Sequence, residues 1–403
     1  MAKFGWLCVG LVACANTAGA PEPARRPAPS AQPAPSALPI AIASAPPAPA
    51  PVSRAPLVIV AGGDVSLARE VGQRLLRDTE FDPLAGVARV FRSADVRFVN
   101  LESQLSFQNG ETQSPTHRLV FTGPPEGAQA LARAGVTLVS TANNHAWDYG
   151  RGALFETLDN LEHAGVRSVG SGRDLEQAWR AVSLEVKGLR VAFLAVTSVW
   201  NQGPIELHEG REHVAWANIE ALRTALAALR EGHDLVVLSY HGGAEYQDAP
   251  ADSSKRFVQA AFDAGVDIVL GHHPHVIQGV GFQRDRAVFY SLGNLVFGPR
   301  PEHPWTRYGM LAKITIEPSG ARIYALCPYR IEGFTPVLLD AAADAGPRSR
   351  FLGHVKGAST AIAGIRWGAS DADGCTEVLP ASLTPPSLGP PRVDRGSRPL
   401  AQR

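Results

Sequence analysis

Val266-Asp267-Ile268-Val269-Leu270-Gly271-His272-His273-Pro274-His275 is an apolar, β-branched run that passes straight into a histidine-rich turn. Residues 266–270 read as a buried strand, being short, apolar and closed by glycine. Residues 253–264, just upstream, read as a helix, with Gly265 where its C-cap falls. Downstream, residues 287–290 read as the next strand. Working outward, strands are expected at residues 57–61, 96–99, 136–139, 191–196 and 235–238. Helices are expected at residues 125–134, 152–164 and 219–230, where Pro125 suits a first helical position and Gly135, Gly165 and Gly232 suit helix ends. This strand-then-helix alternation predicts a layered α/β fold with largely parallel strands. Residues 311–316 and 322–326 read as a hairpin around Pro318-Ser319-Gly320, and residues 341–350 read as a loop.

Almost every expected strand leads into residues able to bind metal. Residues 57–61 lead to Gly62-Gly63-Asp64, 96–99 to Asn100-Leu101-Glu102, and 136–139 to Asn143-Asn144-His145. Residues 235–238 lead to Tyr240-His241-Gly242-Gly243, and 287–290 to Ser291-Leu292-Gly293-Asn294. Ligands of α/β folds bind beyond the carboxyl ends of the strands, so these segments can converge on one edge. A lone histidine there is usually a hydrogen-bonded surface residue and a lone aspartate a helix N-cap, but six such segments together point to a metal site. Asp64 and Glu102 offer anionic oxygens, Asn144 an amide oxygen, and His241, His273 and His275 imidazole nitrogens. That mixed donor set suits Mn, Fe or Zn better than Ca or Mg. His273 and His275, two apart, share a side if the segment is extended. A carboxylate between two ions would hold them about 3.5–4 Å apart, the spacing of two-metal hydrolysis.

The remaining composition narrows the function. The 403 residues are 45% hydrophobic and 19% charged with formal net charge +0, which is ordinary for a globular chain and gives no electrostatic basis for binding nucleic acid. The 4 cysteines form no zinc-type CxxC pair. Lys3 and the apolar residues 4–12 read as an export signal. Leu11-Val12-Ala13-Cys14 reads as a lipobox whose cysteine is lipidated, and Ala18-Gly19-Ala20 is a rival cleavage site followed by an unfavourable Pro21. Residues 14–56 form a Pro/Ala-rich linker that would hold a domain away from a membrane. Cys327 and Cys375 could pair in an oxidising compartment.

Taken in order, Asp64, Glu102, Asn143-Asn144-His145-Ala146-Trp147-Asp148-Tyr149-Gly150, His241-Gly242-Gly243-Ala244-Glu245-Tyr246, Gly271-His272-His273-Pro274-His275 and Tyr290-Ser291-Leu292-Gly293-Asn294 resemble the CapA family. Its members are associated with poly-gamma-glutamate capsule synthesis or export and are similar to calcineurin-like metallophosphoesterases. The resemblance implies a four-layer αββα sandwich over residues 57–335, after a signal segment at 1–13 and before a partly disordered extension at 336–403. It implies metal ligation by Asp64, Glu102, Asn144, His241, His273 and His275, with one or two divalent ions, and a general-acid role for His145. Asp148 would orient His145 or cap the following helix, while Glu245 and Asn294 would line the site or shape its loops. His272 reads as structural, and His117 and Arg118 as a surface loop. The family pattern opens with Asp-x-His, but here Asp64 is followed by Val65-Ser66, which leaves the first metal position short of a ligand. The resemblance thus implies an exported, lipid-anchored envelope protein acting on an anionic polymer or a phosphoester, within a membrane complex for capsule synthesis. It would act as a metal-dependent hydrolase or transferase, as a non-catalytic polymer-guiding subunit, or as a free-standing exported phosphoesterase.

Overall fold

The computed structural model describes residues 55–229 and 232–381. The signal segment, Cys14, the linker up to residue 54 and the tail from residue 382 lie outside the described residues. The expected strands form two stacked sheets. The larger runs, edge to edge, through Ile365–Ser370, Thr376–Pro380, Arg322–Glu332, Tyr308–Ile316, Leu57–Val65, Val96–Leu101, Leu138–Ser140 and Arg167–Val169. Asn294–Val296 also pairs with Leu57–Val65, in parallel, and sets Asn294 opposite Asp64. The smaller sheet runs through Val280–Gln283, Arg286–Phe289, Ile268–His272, Leu235–His241, Leu189–Thr197 and Val182–Val186. The strands that lead into the polar segments each have a parallel neighbour, as the alternation predicts, while Leu57–Val65 and Arg286–Phe289 also pair antiparallel on their other side, with Tyr308–Ile316 and Val280–Gln283. The hairpin around Gly320 is antiparallel and longer than expected.

Side-chain alternation sorts the strands into layers. Ile59, Ala61 and Phe98 of the larger sheet meet Phe193, Val237 and Ile268 of the smaller in one core. Phe98 and Phe193 stack across it with ring centroids 5.9 Å apart. Val60 and Val99 face the opposite way, toward Val71 and Leu75 of the Arg69–Arg77 helix and Leu131 of the Glu126–Arg133 helix. Ala192, Leu194 and Leu238 face Leu222 and Leu226 of the Ile219–Leu229 helix and Phe262 of the Asp252–Ala264 helix. The order is therefore helix, sheet, sheet, helix: the αββα sandwich. Each buried Phe or Leu in these layers contributes roughly 1.5–3 kcal/mol.

Gly63 is where backbone space matters most. A Cβ there would sit 1.8 Å from the Gly293 carbonyl oxygen. The pairing of Leu57–Val65 with Val96–Leu101 shifts register between Ala61 and Asp64, so this bulge delivers Asp64 to the sheet edge.

Past residue 335 the fold continues. The Ala345–Thr360 helix replaces the loop expected at residues 341–350. Gly346, Pro347, Gly353 and Gly357 give it poor intrinsic propensity, and it is held instead by burying Phe351 and Val355 in the core between the sheets. Arg348 donates to the carbonyls of Leu339 and Gly374 and to the Thr376 hydroxyl. Cys375, just before the Thr376–Pro380 strand, is disulfide-bonded to Cys327 of the neighbouring Arg322–Glu332 strand. This bond closes 48 residues, a loop for which chain entropy predicts about 4 kcal/mol. Replacing both cysteines with alanine should lower unfolding stability by roughly 2–4 kcal/mol in urea titration. An unchanged midpoint would show that the covalent link holds nothing in place.

Candidate metal centre

The site lies where the carboxyl edges of both sheets meet. The larger sheet supplies Asp64 from Leu57–Val65, Asn100 and Glu102 from the end of Val96–Leu101, and Asn143 and Asn144 after Leu138–Ser140. The smaller sheet supplies His241 from Leu235–His241, and His272, His273 and His275 from the end of Ile268–His272. All of these are buried.

Hydrogen bonds knit the set together. Asn100 Nδ2 donates to Asp64 Oδ1 at 2.8 Å and lies 3.2 Å from His241 Nδ1. His241 Nε2 meets Asn144 Oδ1 at 2.8 Å. The His273 backbone N–H donates to Asp64 Oδ2 at 3.2 Å. Asn143 Nδ2 donates to the Leu101 carbonyl, and its own Oδ1 accepts from the His145 N–H. Asn294 Oδ1 meets His275 Nδ1 at 2.9 Å, while its amide donates to the Thr306 carbonyl. Asn294 thus opens a paired strand and orients a ring, and is not a turn residue.

His273 and His275 are not extended. Their φ values are +97° and +59°, so each ring is aimed by a left-handed backbone on either side of Pro274. Their ring centroids lie 5.9 Å apart. Such conformations cost of order 1–3 kcal/mol each and persist where the surroundings enforce them.

Two donor clusters share one residue. Glu102, His241 and His273 form one, and Asp64, Glu102 and His275 the other, with the donor atoms of each within 4.8 Å of one another. A third group joins the exposed Glu245 to His273 and His275. Glu102 is fully buried, yet neither carboxylate oxygen has a hydrogen-bond partner among the described residues, and neither does His273 Nδ1. Buried polar atoms are rarely left so, because each costs about 1–3 kcal/mol, and more when charged. A divalent cation would satisfy all of them at once, so the residues present fit a metal. The absent Asp-x-His histidine is Ser66 here, which is buried. His272, absent from the expected ligand set, places Nδ1 3.4 Å from Asp64 Oδ1, and both its ring nitrogens lack hydrogen-bond partners among the described residues.

The protonation states of the histidines suit metal binding, while Glu102 would have to release its proton to an incoming cation. Burial raises Asp64, but His272, His275 and His241 around it more than reverse this and hold the carboxyl far below the usual range. Burial, then the neighbouring charge of Asp64, pushes Glu102 well up. Burial lowers His241 and His275 and, with His275 beside it, brings His273 to about 4. Neutral imidazoles are the form that binds metal.

His145 stands outside these clusters. Its Nδ1 lies 2.8 Å from Asp148 Oδ2, and its ring stacks on Phe121 at 4.1 Å. Asp148 also accepts from the Phe121 N–H, while the Gly150–His163 helix has Tyr149 at its N-cap, so Asp148 is not the cap. His117 and Arg118 are exposed. Tyr246, which closes the segment after residues 235–238, lines the cleft over His145, His275 and Glu245 together with Arg69 and Arg300, two residues that no strand-end reading would find.

Residues 58–299 match the family described as bacterial capsule synthesis protein PGA_cap. The chain belongs to that family. The "PGA biosynthesis protein CapA" of Bacillus subtilis (strain 168) is 29% identical over 277 residues, spanning 68% of this chain and 71% of that protein. The "Capsule biosynthesis protein CapA" of Bacillus anthracis is 28% identical over 289 residues, spanning 70% and 69%. Among solved structures, the NAD nucleotidase of Haemophilus influenzae aligns with TM-score 0.40 and 13% identity over 79% of this chain and 65% of that one. Membership of the PGA_cap family rests on the sequence match, and the layering on this chain's own sheets.

Because Glu102 gains a proton in the metal-free fold, its contribution to stability is present at low pH and lost as pH rises through its raised folded value. The lowered histidines act oppositely, losing stability as pH falls below about 6.5. Above that pH only Glu102 contributes a slope among these groups. The chelated protein should therefore lose stability from pH ~6.5 to ~8, and Glu102→Gln should flatten the slope and raise stability at pH ~8 by about 1 kcal/mol. A slope unchanged in Glu102→Gln would assign it to another group.

Proposed function

We propose that this protein is an envelope-facing, metal-dependent hydrolase or transferase acting on an anionic polymer, of the poly-gamma-glutamate type, during capsule synthesis or export. The observation that carries the reading is Glu102, a buried carboxylate with unpartnered oxygens between two histidine-bearing clusters. Asp64, Glu102, Asn144, His241, His273 and His275 would hold one or two divalent ions, Mn, Fe or Zn by donor type. Such ions, when bound, supply Lewis acidity and an activated water. Asp148, as a carboxylate, accepts from His145 Nδ1–H and so leaves Nε2 to carry a proton toward the leaving group. The Phe121 ring on one face of His145 limits its rotation and its access to water. Export, with lipidation at Cys14 and the 14–56 linker as a spacer, would place this site at the cell envelope, in contact with a membrane-bound synthesis complex.

One observation favours a second reading. Ser66 stands where the family's histidine would complete the first metal position, so a single tightly held ion and a polymer-guiding role without turnover fit that side of the site. A free-standing exported phosphoesterase would share the same donors and differ in substrate.

Elemental analysis of the gently purified full chain should find one or two equivalents of a transition metal. His273→Ala should lose most of it, and metal-free parent protein would sink both readings. His145→Ala should keep the metal and lower turnover of a phosphoester or γ-linked oligoglutamate by about 10²–10⁴-fold. Equal rates in variant and parent would take His145 out of the chemistry, and no turnover in the metal-loaded parent would favour the polymer-guiding role.

A further inference from the structure

The cleft above the donor clusters holds two arginines that the reading above does not use. Arg69 and Arg300 line it together with His145, Glu245, Tyr246, His275 and Asn294. They come from distant parts of the chain, Arg69 at the head of the Arg69–Arg77 helix and Arg300 after the Asn294–Val296 strand. Each sits close enough to the other that Arg300, after burial, is the main charge disfavouring the Arg69 cation.

Arg69 is held in place at some cost. Its φ is +53°, a left-handed conformation that β-carbon-bearing residues avoid. The conformation is pinned from both sides, since the Arg69 N–H donates to the Thr112 carbonyl and the Arg69 carbonyl accepts from the Thr112 hydroxyl. The guanidinium lies 4.3 Å over the Phe121 ring, and the His145 imidazole stacks on the same ring at 4.1 Å. Arg69, Phe121 and His145 thus form one stack, which fixes the guanidinium one ring away from the proton carrier. One Arg69 amino group donates to the Arg118 carbonyl, but Nε is buried without a hydrogen-bond partner, and Arg69 makes no ion pair with a carboxylate among the described residues. Arg300 lies 5.3 Å over the Tyr246 ring, and among the described residues its guanidinium pairs only with Glu302, at 3.7 Å on the exposed rim. Glu245, the carboxylate lining the cleft among the described residues, groups with His273 and His275.

Two like charges converging on one cleft, one with an unpartnered donor, are a poor arrangement for a bare protein and a good one for an oxyanion. We infer that Arg69 and Arg300 form an anion-binding subsite that grips a carboxylate or phosphate of the substrate beside the bond presented to His145. This rests on the proposed reading of the centre as a substrate site and adds how substrate is chosen there. A polymer with a carboxylate on every unit would always present such a group next to the reacting amide. A phosphoester would present its own phosphoryl oxygens.

Calorimetric titration of the full-length, metal-loaded chain with γ-linked hexaglutamate and, separately, with inorganic phosphate tests this. Arg69→Gln and Arg300→Gln should each weaken binding of at least one probe by about tenfold or more, with metal content unchanged. Arg69→Lys should not restore it, because a point charge cannot reproduce the fixed fork of donors. Loss toward hexaglutamate alone identifies the anion as a carboxylate, and loss toward phosphate alone identifies a phosphoester. Parent-level binding of both probes in both glutamine variants overturns the subsite. Metal content measured on the same samples separates this result from the metal reading: a metal-free parent that still binds anion through Arg69 would refute the centre and keep the subsite.

Discussion

Glu102 is the constraint around which the rest of the site is arranged. A carboxylate fully removed from water, with no donor to either oxygen among the described residues, cannot stay ionised without a positive charge beside it. Near neutral pH, His241, His273 and His275 do not supply that charge, because burial holds them below the usual imidazole range. What remains is a pocket of lone pairs facing inward, built by a fold that spends backbone strain at His273 and His275 to aim them. Residues that meet none of this directly still serve it: Gly63 admits the bulge that carries Asp64 forward, and Asn100 ties Asp64 to His241 across the two sheets.

The division of labour between sheets follows from the donor chemistry. The larger sheet contributes the oxygen donors Asp64, Glu102 and Asn144, and the smaller contributes the nitrogen donors His241, His273 and His275. Neither sheet alone has a complete set. The distances within each cluster are therefore fixed by how the sheets pack, through contacts such as Phe98 on Phe193, as much as by the loops that carry these side chains.

Much of the layered fold and the convergence of the donors could be read from the sequence, because each donor follows an apolar run and parallel strands bring such ends together. The parts that could not be read depend on tertiary contact. Asn100 lies inside a strand and looks like any polar residue there until Asp64 and His241 are placed beside it. The left-handed turns at His273 and His275 carry no glycine or asparagine to announce them. Arg69 follows no strand signal and acquires its place through Phe121, more than fifty positions away. The start of the Ala345–Thr360 helix reads as part of a loop at residues 341–350 because its Gly and Pro suppress local propensity, and only its packed face reveals the helix.

The split of donors between layers has a mechanical side. An ion gripped by oxygens from one slab and nitrogens from the other would rivet the two together at their open rim. Its binding energy would then count toward holding the sandwich shut, so a strong chelator would loosen the whole scaffold as well as emptying the centre.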